Sequence, residues 1–370
     1  NVAGAGLGIV RHALAPRWMN DAAARYRTLC PGRFFLDPED RSGVESYLRE
    51  RGCLAPGERV MSLGRAGEGN MNCTVRVTTT ARSVIVKQSR PWVEKYPQFA
   101  APGDRVCREA EFYRRVEARP AVAGLMPRVL GFDAEGRVLV LEDLGTASDY
   151  TGVYRDGGFS VSEVGLLAAY LRALHEPLEE AGGLSNREMR ELNHAHIFVI
   201  PLDRGSGVPL DQVTPGLSQV AAVLQGDRGY CREVERLGRE VYLGDGPALV
   251  HGDFFPGSLL RTPAGPRVID PEFGYLGRPE YDAGVFLGHL WLSGHEVPAL
   301  RAWHGAFTGT RGFEAALMLQ LAGVEIMRRL IGYAQLPLVY GLDRKRELLE
   351  LSRDLVLDPR GTWNHAMATA

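Results

Sequence analysis

The sequence predicts an α+β fold in two parts: an N-terminal antiparallel β-sheet with one helix, then a larger, mainly helical part. Short runs rich in β-branched residues, several alternating in polarity, recur as far as Leu141. From Val161 onward, apolar residues recur at helical spacing instead. We place the change at residues 142–145. The predicted units are an N-terminal extension (1–33), a β-rich lobe (34–144) and a helical lobe (145–370).

Each predicted element rests on such a local pattern. The strands predicted in the first part are Val60–Leu63, Cys73–Thr78, Ser83–Lys87, Val129–Phe132 and Arg137–Leu141. The helices predicted in the first part are Asp21–Leu29, a short one near residues 37–48, and Arg105–Glu117. The last of these is the one helix that the fold-class prediction pairs with the antiparallel sheet. The helices predicted in the second part are Val161–His175, Val220–Val223, Glu233–Tyr242, Tyr281–Leu292, Phe313–Tyr333 and Lys345–Leu355. Ala248–His251 and Pro266–Ile269 are predicted strands that flank a loop, and Asn193–Phe198 is interpreted as an apolar strand.

Composition excludes several classes of partner. The 370 residues include 43 basic and 45 acidic ones, a net charge of −2, which argues against nucleic acid as a partner. No apolar run is long enough for a membrane span, and the first ten residues lack the basic start of a signal peptide. The five cysteines are scattered, which predicts reduced thiols in a cytoplasmic protein rather than disulfides or a zinc site.

The strongest chemical signal is a pair of acidic loops, each directly after a strand. The first contains His251-Gly252-Asp253, and the second contains Ile269-Asp270-Pro271-Glu272. Phosphoryl transfer requires a carboxylate that orients or deprotonates the acceptor hydroxyl, and carboxylates that hold magnesium. We assign the first role to Asp253 and the second to Asp270 and Glu272. The alternative is that these carboxylates lie in ordinary surface turns.

Three weaker signals precede this pair along the chain. The loop Gly64–Asn72 is rich in glycine, whose backbone N–H groups can approach phosphates closely, although an ordinary hairpin turn looks the same. Lys87 ends an apolar strand and can contact ATP phosphates if a helix carboxylate holds it; Glu109 is favoured and Glu111 is the rival. With the strand that ends at residues 142–144, the signals follow the order of a kinase nucleotide site.

The motifs resemble the aminoglycoside and choline kinase-like superfamily, and within it most closely the methylthioribose kinase family. The similar segments are Gly67-Glu68-Gly69-Asn70-Met71-Asn72, Val86-Lys87-Gln88, His251-Gly252-Asp253 with Gly257-Ser258, Ile269-Asp270-Pro271-Glu272-Phe273, and Ala322-Gly323-Val324-Glu325-Ile326-Met327-Arg328-Arg329. The resemblance runs from about residue 35 to about residue 355.

The resemblance implies a two-lobed protein kinase-like fold that binds ATP and Mg²⁺ in its cleft and phosphorylates a small hydroxylated acceptor. It implies a nucleotide site formed by Gly67, Gly69, Asn70, Lys87, Glu109, Glu142 and Leu144, with residues 142–144 as the hinge that meets adenine. It implies Asp253 as catalytic base, Asp270 and Glu272 as magnesium ligands, and contacts from Arg328 and Arg329 to the sugar or the transferred phosphate. Ser258 stands where the wider superfamily has Asn, and its hydroxyl is still an oxygen ligand. A homodimer is also implied.

Two segments differ from the family pattern. Phe254-Phe255-Pro256 replaces Leu-His-Thr, which makes the wall beside Asp253 more apolar. His194 and His196 either line the acceptor pocket or are packing or surface residues. The competing functions are an aminoglycoside-type antibiotic phosphotransferase, a non-catalytic nucleotide-binding scaffold, and a metal-dependent hydrolase. A cationic antibiotic requires an acidic pocket, which the Arg328-Arg329 pair opposes; the hydrolase lacks further His ligands.

Overall fold

The computed structural model describes residues 21–67, 71–155, 157–178 and 183–368. Its strands are β1 (Val60–Arg65), β2 (Cys73–Thr79), β3 (Ser83–Gln88), β4 (Trp92–Val93), β5 (Tyr96–Ala100), β6 (Val129–Asp133), β7 (Val138–Glu142), β8 (Ser148–Asp149), β9 (Ala248–Val250), β10 (Leu259–Thr262), β11 (Gly265–Val268) and β12 (Tyr275–Gly277). Its α-helices are α1 (Ala22–Leu29), α2 (Arg41–Glu50), α3 (Arg105–Val116), α4 (Pro120–Ala123), α5 (Val161–Leu174), α6 (Arg187–His194), α7 (Leu210–Val213), α8 (Leu217–Gly226), α9 (Arg228–Arg236), α10 (Glu280–Leu292), α11 (Val297–Phe307), α12 (Ala315–Ile331), α13 (Leu342–Leu357) and α14 (Pro359–Ala368).

The N-terminal lobe is built on a five-stranded antiparallel sheet in the order β1-β2-β3-β7-β6. Alternating residues of β2 are buried, as period-two side-chain geometry requires for a sheet with one covered face. In β3 the register pairs Lys87 with Leu139 on the neighbouring strand β7. Because β7 is buried from Val138 to Leu141, the lysine enters a covered site.

Helix α3 packs on β6 and β7 and carries Glu109 beneath the sheet. The lobe also contains α2 and the one-turn helix α4, in addition to the single helix that the fold-class prediction counted. Helix α1 lies in the predicted extension, where Tyr26 is fully buried against Trp92 of β4. Residues 1–20 of that extension lie outside the described residues.

The helical lobe is organised around α10 and α12. Every residue of α10 is buried. A Cβ at Gly284 would meet the Met318 carbonyl oxygen, and one at Gly288 would meet that of Ala322, so the two glycines allow α10 to approach α12 closely. Small antiparallel ladders, β9 with β12 and β10 with β11 and β8, lie at the edge of this lobe and carry the acidic loops.

Several local predictions were wrong or incomplete, and helices α11 and α14 were not predicted. Asn193–Phe198 is helical, because it belongs to α6 and a following π-helical turn over Ala195–Val199. The connection after Arg90 contains the β4–β5 hairpin, and β10 was not predicted. Among the described residues, no helix is both long enough and apolar enough to cross a bilayer.

Candidate active site

The loop that carries Asp253 is held from behind by a buried carboxylate. It follows strand β9 and turns at Gly252, whose φ is +83°. Asp282 of α10 is fully buried and accepts hydrogen bonds from the backbone N–H groups of His251 at 2.7 Å and Gly252 at 3.0 Å. His175 Nε2 lies 3.0 Å from the same carboxylate. Asp282 therefore fixes the backbone immediately before Asp253.

His251 joins the two acidic loops. Its Nε2 lies 2.9 Å from the carbonyl oxygen of Ile269, the residue before Asp270. A ring nitrogen facing a carbonyl must carry the proton, so Nε2 is the donor. Burial lowers the pKa of His251, which keeps the ring neutral. The two loops predicted from sequence thus lie side by side.

Asp253 faces two guanidinium groups without forming a hydrogen bond to either. Its Oδ1 lies 3.5 Å from Arg329 Nη2 and 3.8 Å from Arg328 Nη1, and this oxygen is buried without a hydrogen-bond partner. Burial raises the pKa of Asp253, and the charges of Arg328 and Arg329 offset part of that rise. The Oδ1 atom is therefore turned toward the arginine pair, while the Asp253 side chain as a whole is 19% exposed.

Both arginines reach this point through Glu325, which lies one turn earlier on α12. Glu325 accepts from Arg329 Nε at 2.6 Å and from Arg328 Nη1 at 3.2 Å. Adjacent helical residues diverge by about 100°, so a shared partner is needed to bring both onto one target. Burial acts to raise the pKa of Glu325, but the two arginines outweigh it and hold the pKa below its ordinary value.

Asp270 stands at the end of the second loop in a left-handed conformation, with φ +60°. Its Oδ1 accepts from Lys87 Nζ at 2.7 Å, and Lys87 also donates to Glu109 at 2.7 Å. Burial acts to lower the pKa of Lys87, but Asp270 and Glu109 outweigh it and raise the pKa. Burial raises the pKa of Glu109 to about 7, against the opposing charge of Lys87. Glu111 pairs with Arg114 and Arg115 instead.

Glu272 connects the second loop to the N-terminal lobe. Its Oε2 accepts from Asn72 Nδ2 at 2.7 Å and lies 3.6 Å from Arg105 Nε. Arg105 is fully buried and also donates to the carbonyl oxygens of Met71 at 2.7 Å and Trp92 at 3.3 Å. One guanidinium therefore ties the glycine-rich loop, the β4–β5 hairpin and the Asp-Pro-Glu segment together.

The strand that ends at Glu142 leads out of the sheet into a braced connection. Arg76 donates to Asp143 Oδ1 at 3.0 Å and to the carbonyl oxygen of Gly145 at 3.1 Å. The carboxylate of Glu142 accepts from Arg128 at 3.2 Å, while Leu144 is half-buried. These contacts leave the backbone of Glu142–Leu144, rather than the Glu142 carboxylate, as the group able to meet a ligand.

The phosphotransferase enzyme family matches residues 62–319 of this chain, which is more than half of its length. The chain belongs to this phosphotransferase enzyme family. The match spans Lys87, Asp253 and Asp270, and stops before Arg328 and Arg329.

Relatives within the family are methylthioribose kinases. The one from Escherichia coli O45:K1 (strain S88 / ExPEC) is 25% identical over 256 residues, covering 62% of this chain and 57% of the relative. Methylthioribose kinase 1 of Oryza sativa subsp. japonica is 26% identical over 283 residues, covering 69% of this chain and 63% of the relative. The chain thus spans less than two thirds of the length of these two relatives. The resemblance predicted from the motifs is confirmed.

A spectinomycin phosphotransferase, solved in complex with ADP and spectinomycin, is similar in fold. Its TM-score is 0.50 at 13% identity, covering 87% of this chain and 99% of that chain. At this identity the likeness concerns the fold alone. The predicted two-lobed kinase-like fold, with its N-terminal antiparallel sheet and helical C-terminal part, is confirmed.

The other residues predicted for the nucleotide and metal sites are Gly67, Gly69, Asn70 and Ser258. Gly67 has φ +74° in the turn after β1, while Gly69 and Asn70 lie outside the described residues. Ser258 is buried in the turn before β10, and its carbonyl oxygen accepts from the Ile269 N–H at 3.0 Å. Ser258 therefore lies against the second acidic loop.

In the segment that follows Asp253, the rings of Phe254 and Phe255 lie in different environments. Phe254 is fully buried in the core and stacks on Tyr170, with ring centroids 5.8 Å apart. Phe255 instead underlies the Arg329 guanidinium, whose carbon lies 4.4 Å from the ring centroid. Of the two phenylalanines, Phe255 is therefore the one that contacts Arg329, the arginine that faces Asp253.

His194 and His196 lie in different environments. His194 stacks between Phe198 and Tyr242, at 5.4 and 6.4 Å between centroids, which is a packing role. His196 contacts Tyr333 edge-on at 6.3 Å, and burial followed by the charge of Arg328 lowers its pKa. Of the two, His196 is the one influenced by the arginine pair.

Sequence reasoning missed Asp282, His175, Asn72 and Arg105 as members of the site. The available signal for Asp282 was its place, with Glu280, as one of two carboxylates in the first turn of the otherwise mostly apolar helix α10. An ionised group buried in such a helix requires hydrogen-bonding partners. Its partners, however, come from segments that are distant in sequence.

Proposed function

We propose that this protein is an ATP-dependent small-molecule kinase that phosphorylates a hydroxyl group of a sugar or sugar-like acceptor, with 5-methylthioribose as the lead candidate. One observation carries the proposal: His251 joins the Asp253 and Asp270 loops, so that one carboxylate faces an arginine pair and the other faces Lys87. A kinase requires this division into an acceptor side and a nucleotide side.

On the nucleotide side, Lys87 would contact the ATP phosphates, with Glu109 holding it in place. Both side chains are buried, and their 2.7 Å contact orients the ammonium group toward Asp270. The backbone of Glu142–Leu144 would meet adenine, and the glycine-rich loop that contains Gly67, Gly69 and Asn70 would cover the phosphates.

The residues on this side fit a magnesium ion. Glu109, Asp270 and Glu272 lie around Lys87 and Arg105, so three carboxyl groups face two cations, and the Asp270 side chain is 43% exposed. Within the described ranges no three His, Cys, Asp or Glu side chains form a complete metal cluster. Mg²⁺ commonly uses one or two carboxylates, with phosphate and water oxygens completing its shell. Asp270 and Glu272, with Ser258, would hold the ion, which would neutralise phosphate charge.

On the acceptor side, Asp253 would act as the base. The Asp253 side chain is 19% exposed, and its carboxylate can accept a hydrogen bond from the acceptor hydroxyl and take its proton, while the hydroxyl oxygen bonds to the terminal phosphorus of ATP and the bond from that phosphorus to ADP breaks. Arg328 and Arg329 would stabilise the negative charge on the transferred phosphoryl group, as guanidinium groups do in phosphoryl transfer.

The choice of acceptor rests on the relatives and on charge. The similar proteins named above are methylthioribose kinases. Two buried arginines beside Asp253 oppose the binding of a polycationic antibiotic, which favours a neutral sugar. We also propose a cytoplasmic location, which the scattered cysteines favour, and a homodimer, which the family resemblance implies.

The test is an acceptor screen with the purified protein, ATP and Mg²⁺, measured by transfer of labelled terminal phosphate. The acceptors are 5-methylthioribose, choline and spectinomycin, with a no-acceptor control. We expect transfer to 5-methylthioribose to exceed transfer to the other two. Preferred transfer to spectinomycin would refute the sugar assignment, and tight ATP binding without transfer to any acceptor would favour a non-catalytic scaffold.

A further inference from the structure

A buried chain of polar groups extends from the arginine pair into the core of the helical lobe. Tyr154 OH lies 2.6 Å from His289 Nδ1, and His289 Nε2 lies 3.0 Å from Glu325 Oε1. These three side chains are at most 2% exposed. The catalytic scheme above gives Tyr154 and His289 no role, yet burying a neutral histidine beside a carboxylate demands a satisfied network.

The geometry fixes the direction of each hydrogen bond. An ionised carboxylate can only accept, so His289 donates to Glu325 from Nε2. Burial lowers the pKa of His289 to about 4, so the ring is neutral and Nδ1 carries no proton. Tyr154, whose pKa burial raises well above its ordinary value, therefore donates its hydroxyl proton to Nδ1. One tautomer satisfies both contacts.

Glu325, at the end of this series of hydrogen bonds, is the group that orients both arginines. Glu325 Oε1 is shared by His289 and Arg329, and Oε2 accepts from Arg328. Phe255 fills the space beside them, with its ring centroid 5.5 Å from that of His289 and 4.4 Å from the Arg329 guanidinium carbon. A shift of Glu325 would therefore move both guanidinium groups relative to Asp253.

We propose that Glu325 is a positioning residue that aims Arg328 and Arg329 at the phosphoryl group transferred beside Asp253, and that Tyr154 and His289 hold Glu325 in place. This inference rests on the proposed function and adds to it the groups that determine where the arginines point. Misplacing a catalytic group by about 1 Å can cost roughly a hundredfold in rate. Losing the network should therefore be seen in the chemical step.

The test compares His289→Phe and Tyr154→Phe with matched controls. His289→Phe keeps a ring against Phe255 and removes both hydrogen bonds, whereas Tyr154→Phe removes only one. The controls are His304→Phe, at a ring that stacks on Trp363, and Tyr230→Phe, which loses a buried hydroxyl contact to Ser352. Among the residues that the structure describes, neither control side chain forms a hydrogen bond or ring contact with Glu325 or Asp253.

We expect His289→Phe to lower kcat with 5-methylthioribose by roughly tenfold or more, because hydrogen bonds to charged groups are strong. Tyr154→Phe should have a smaller effect in the same direction. KM for ATP should change less than about twofold in both variants, because the nucleotide side is untouched. The control variants should retain wild-type kcat. Equal losses in variants and controls, or a loss confined to KM for ATP, would overturn the positioning role.

Nitrogen-15 NMR of the histidine rings tests the geometry independently of catalysis. In the ligand-free wild-type protein we expect His289 to show a protonated Nε2 and an unprotonated Nδ1 at pH 7. Tyr154→Phe should shift the Nδ1 resonance, and His304→Phe should not. A protonated Nδ1 would refute the network even in an active kinase. An inactive wild-type protein with the expected tautomer would instead refute the proposed function, and with it the role in catalysis.

Discussion

Replacing Asp282 by alanine should loosen the loop that carries Asp253. The side chain is fully buried and accepts from two backbone N–H groups, those of His251 and Gly252, at 2.7 and 3.0 Å. Alanine supplies no acceptor, and a buried loop offers little water to replace it. The backbone before Asp253 would then be free to move.

The magnitude follows from the two orphaned donors. An unsatisfied buried polar group costs about 1–3 kcal/mol, so two cost about 2–6 kcal/mol of unfolding free energy. This is a large share of the roughly 5–15 kcal/mol that typically stabilises a folded protein. Asp282→Asn keeps the shape of the side chain but offers one acceptor atom in place of two. It should therefore lose about half as much unfolding free energy as Asp282→Ala.

Urea denaturation followed by tryptophan fluorescence measures the stability, and steady-state phosphate transfer measures kcat. Asp245→Ala is the control, because Asp245 is 87% exposed and its ion pair with Arg190 should contribute less than about 1 kcal/mol. We expect Asp282→Asn to lower kcat, and to change KM for ATP by a smaller factor. An Asp282→Ala protein with wild-type stability and wild-type kcat would refute this account of the loop.

Three further predictions follow. Arg105→Lys should raise KM for Mg·ATP by roughly tenfold, because lysine cannot make the contacts to Asn72, Met71 and Trp92 together; Arg108→Lys, at an exposed pair, is the control measured in the same kinetic assay. The folded-state pKa of Glu109 is about 7, above its ordinary value of 4.5. Between these two pH values, Glu109 therefore carries a proton in the folded protein and has lost it in the unfolded protein. Its contribution to stability is therefore present at low pH and is lost as pH rises through 7, and urea titrations should show the wild type losing up to about 3 kcal/mol relative to Glu109→Gln between pH 5 and 8. Gly252→Ala should destabilise the protein by more than about 1 kcal/mol in thermal or urea unfolding, because a Cβ would strike the Phe273 carbonyl; Gly57→Ala, with a similar φ but open space, should cost less.

The sequence predicted the fold and the main acidic loops because their signals are local. Strand alternation and helical spacing located the sheet, α5, α10 and α12 to within a few residues. The choice of Glu109 over Glu111 for Lys87 agrees with the observed 2.7 Å contact, since the two glutamates lie on different faces of α3. These inferences needed only periodicity and order along the chain.

The unpredicted features depend on contacts between distant segments. Glu272 meets Asn72, 200 positions away in sequence, and Tyr154 meets His289 across 135 positions. A single sequence carries no signal for such pairs. The strand predicted around His194 failed for a related reason: its short apolar run gave no decisive period, and packing against Tyr242 favours the helix.

The most direct test of the central claim is the Asp253→Asn variant, compared with the wild type in two measurements. The substitution keeps the shape of the side chain but removes its ability to accept a proton. We predict that calorimetric titration with Mg·ATP gives an unchanged Kd, while phosphate transfer to 5-methylthioribose falls by roughly a hundredfold or more. Retained transfer at the wild-type rate would contradict the role of Asp253 as the catalytic base.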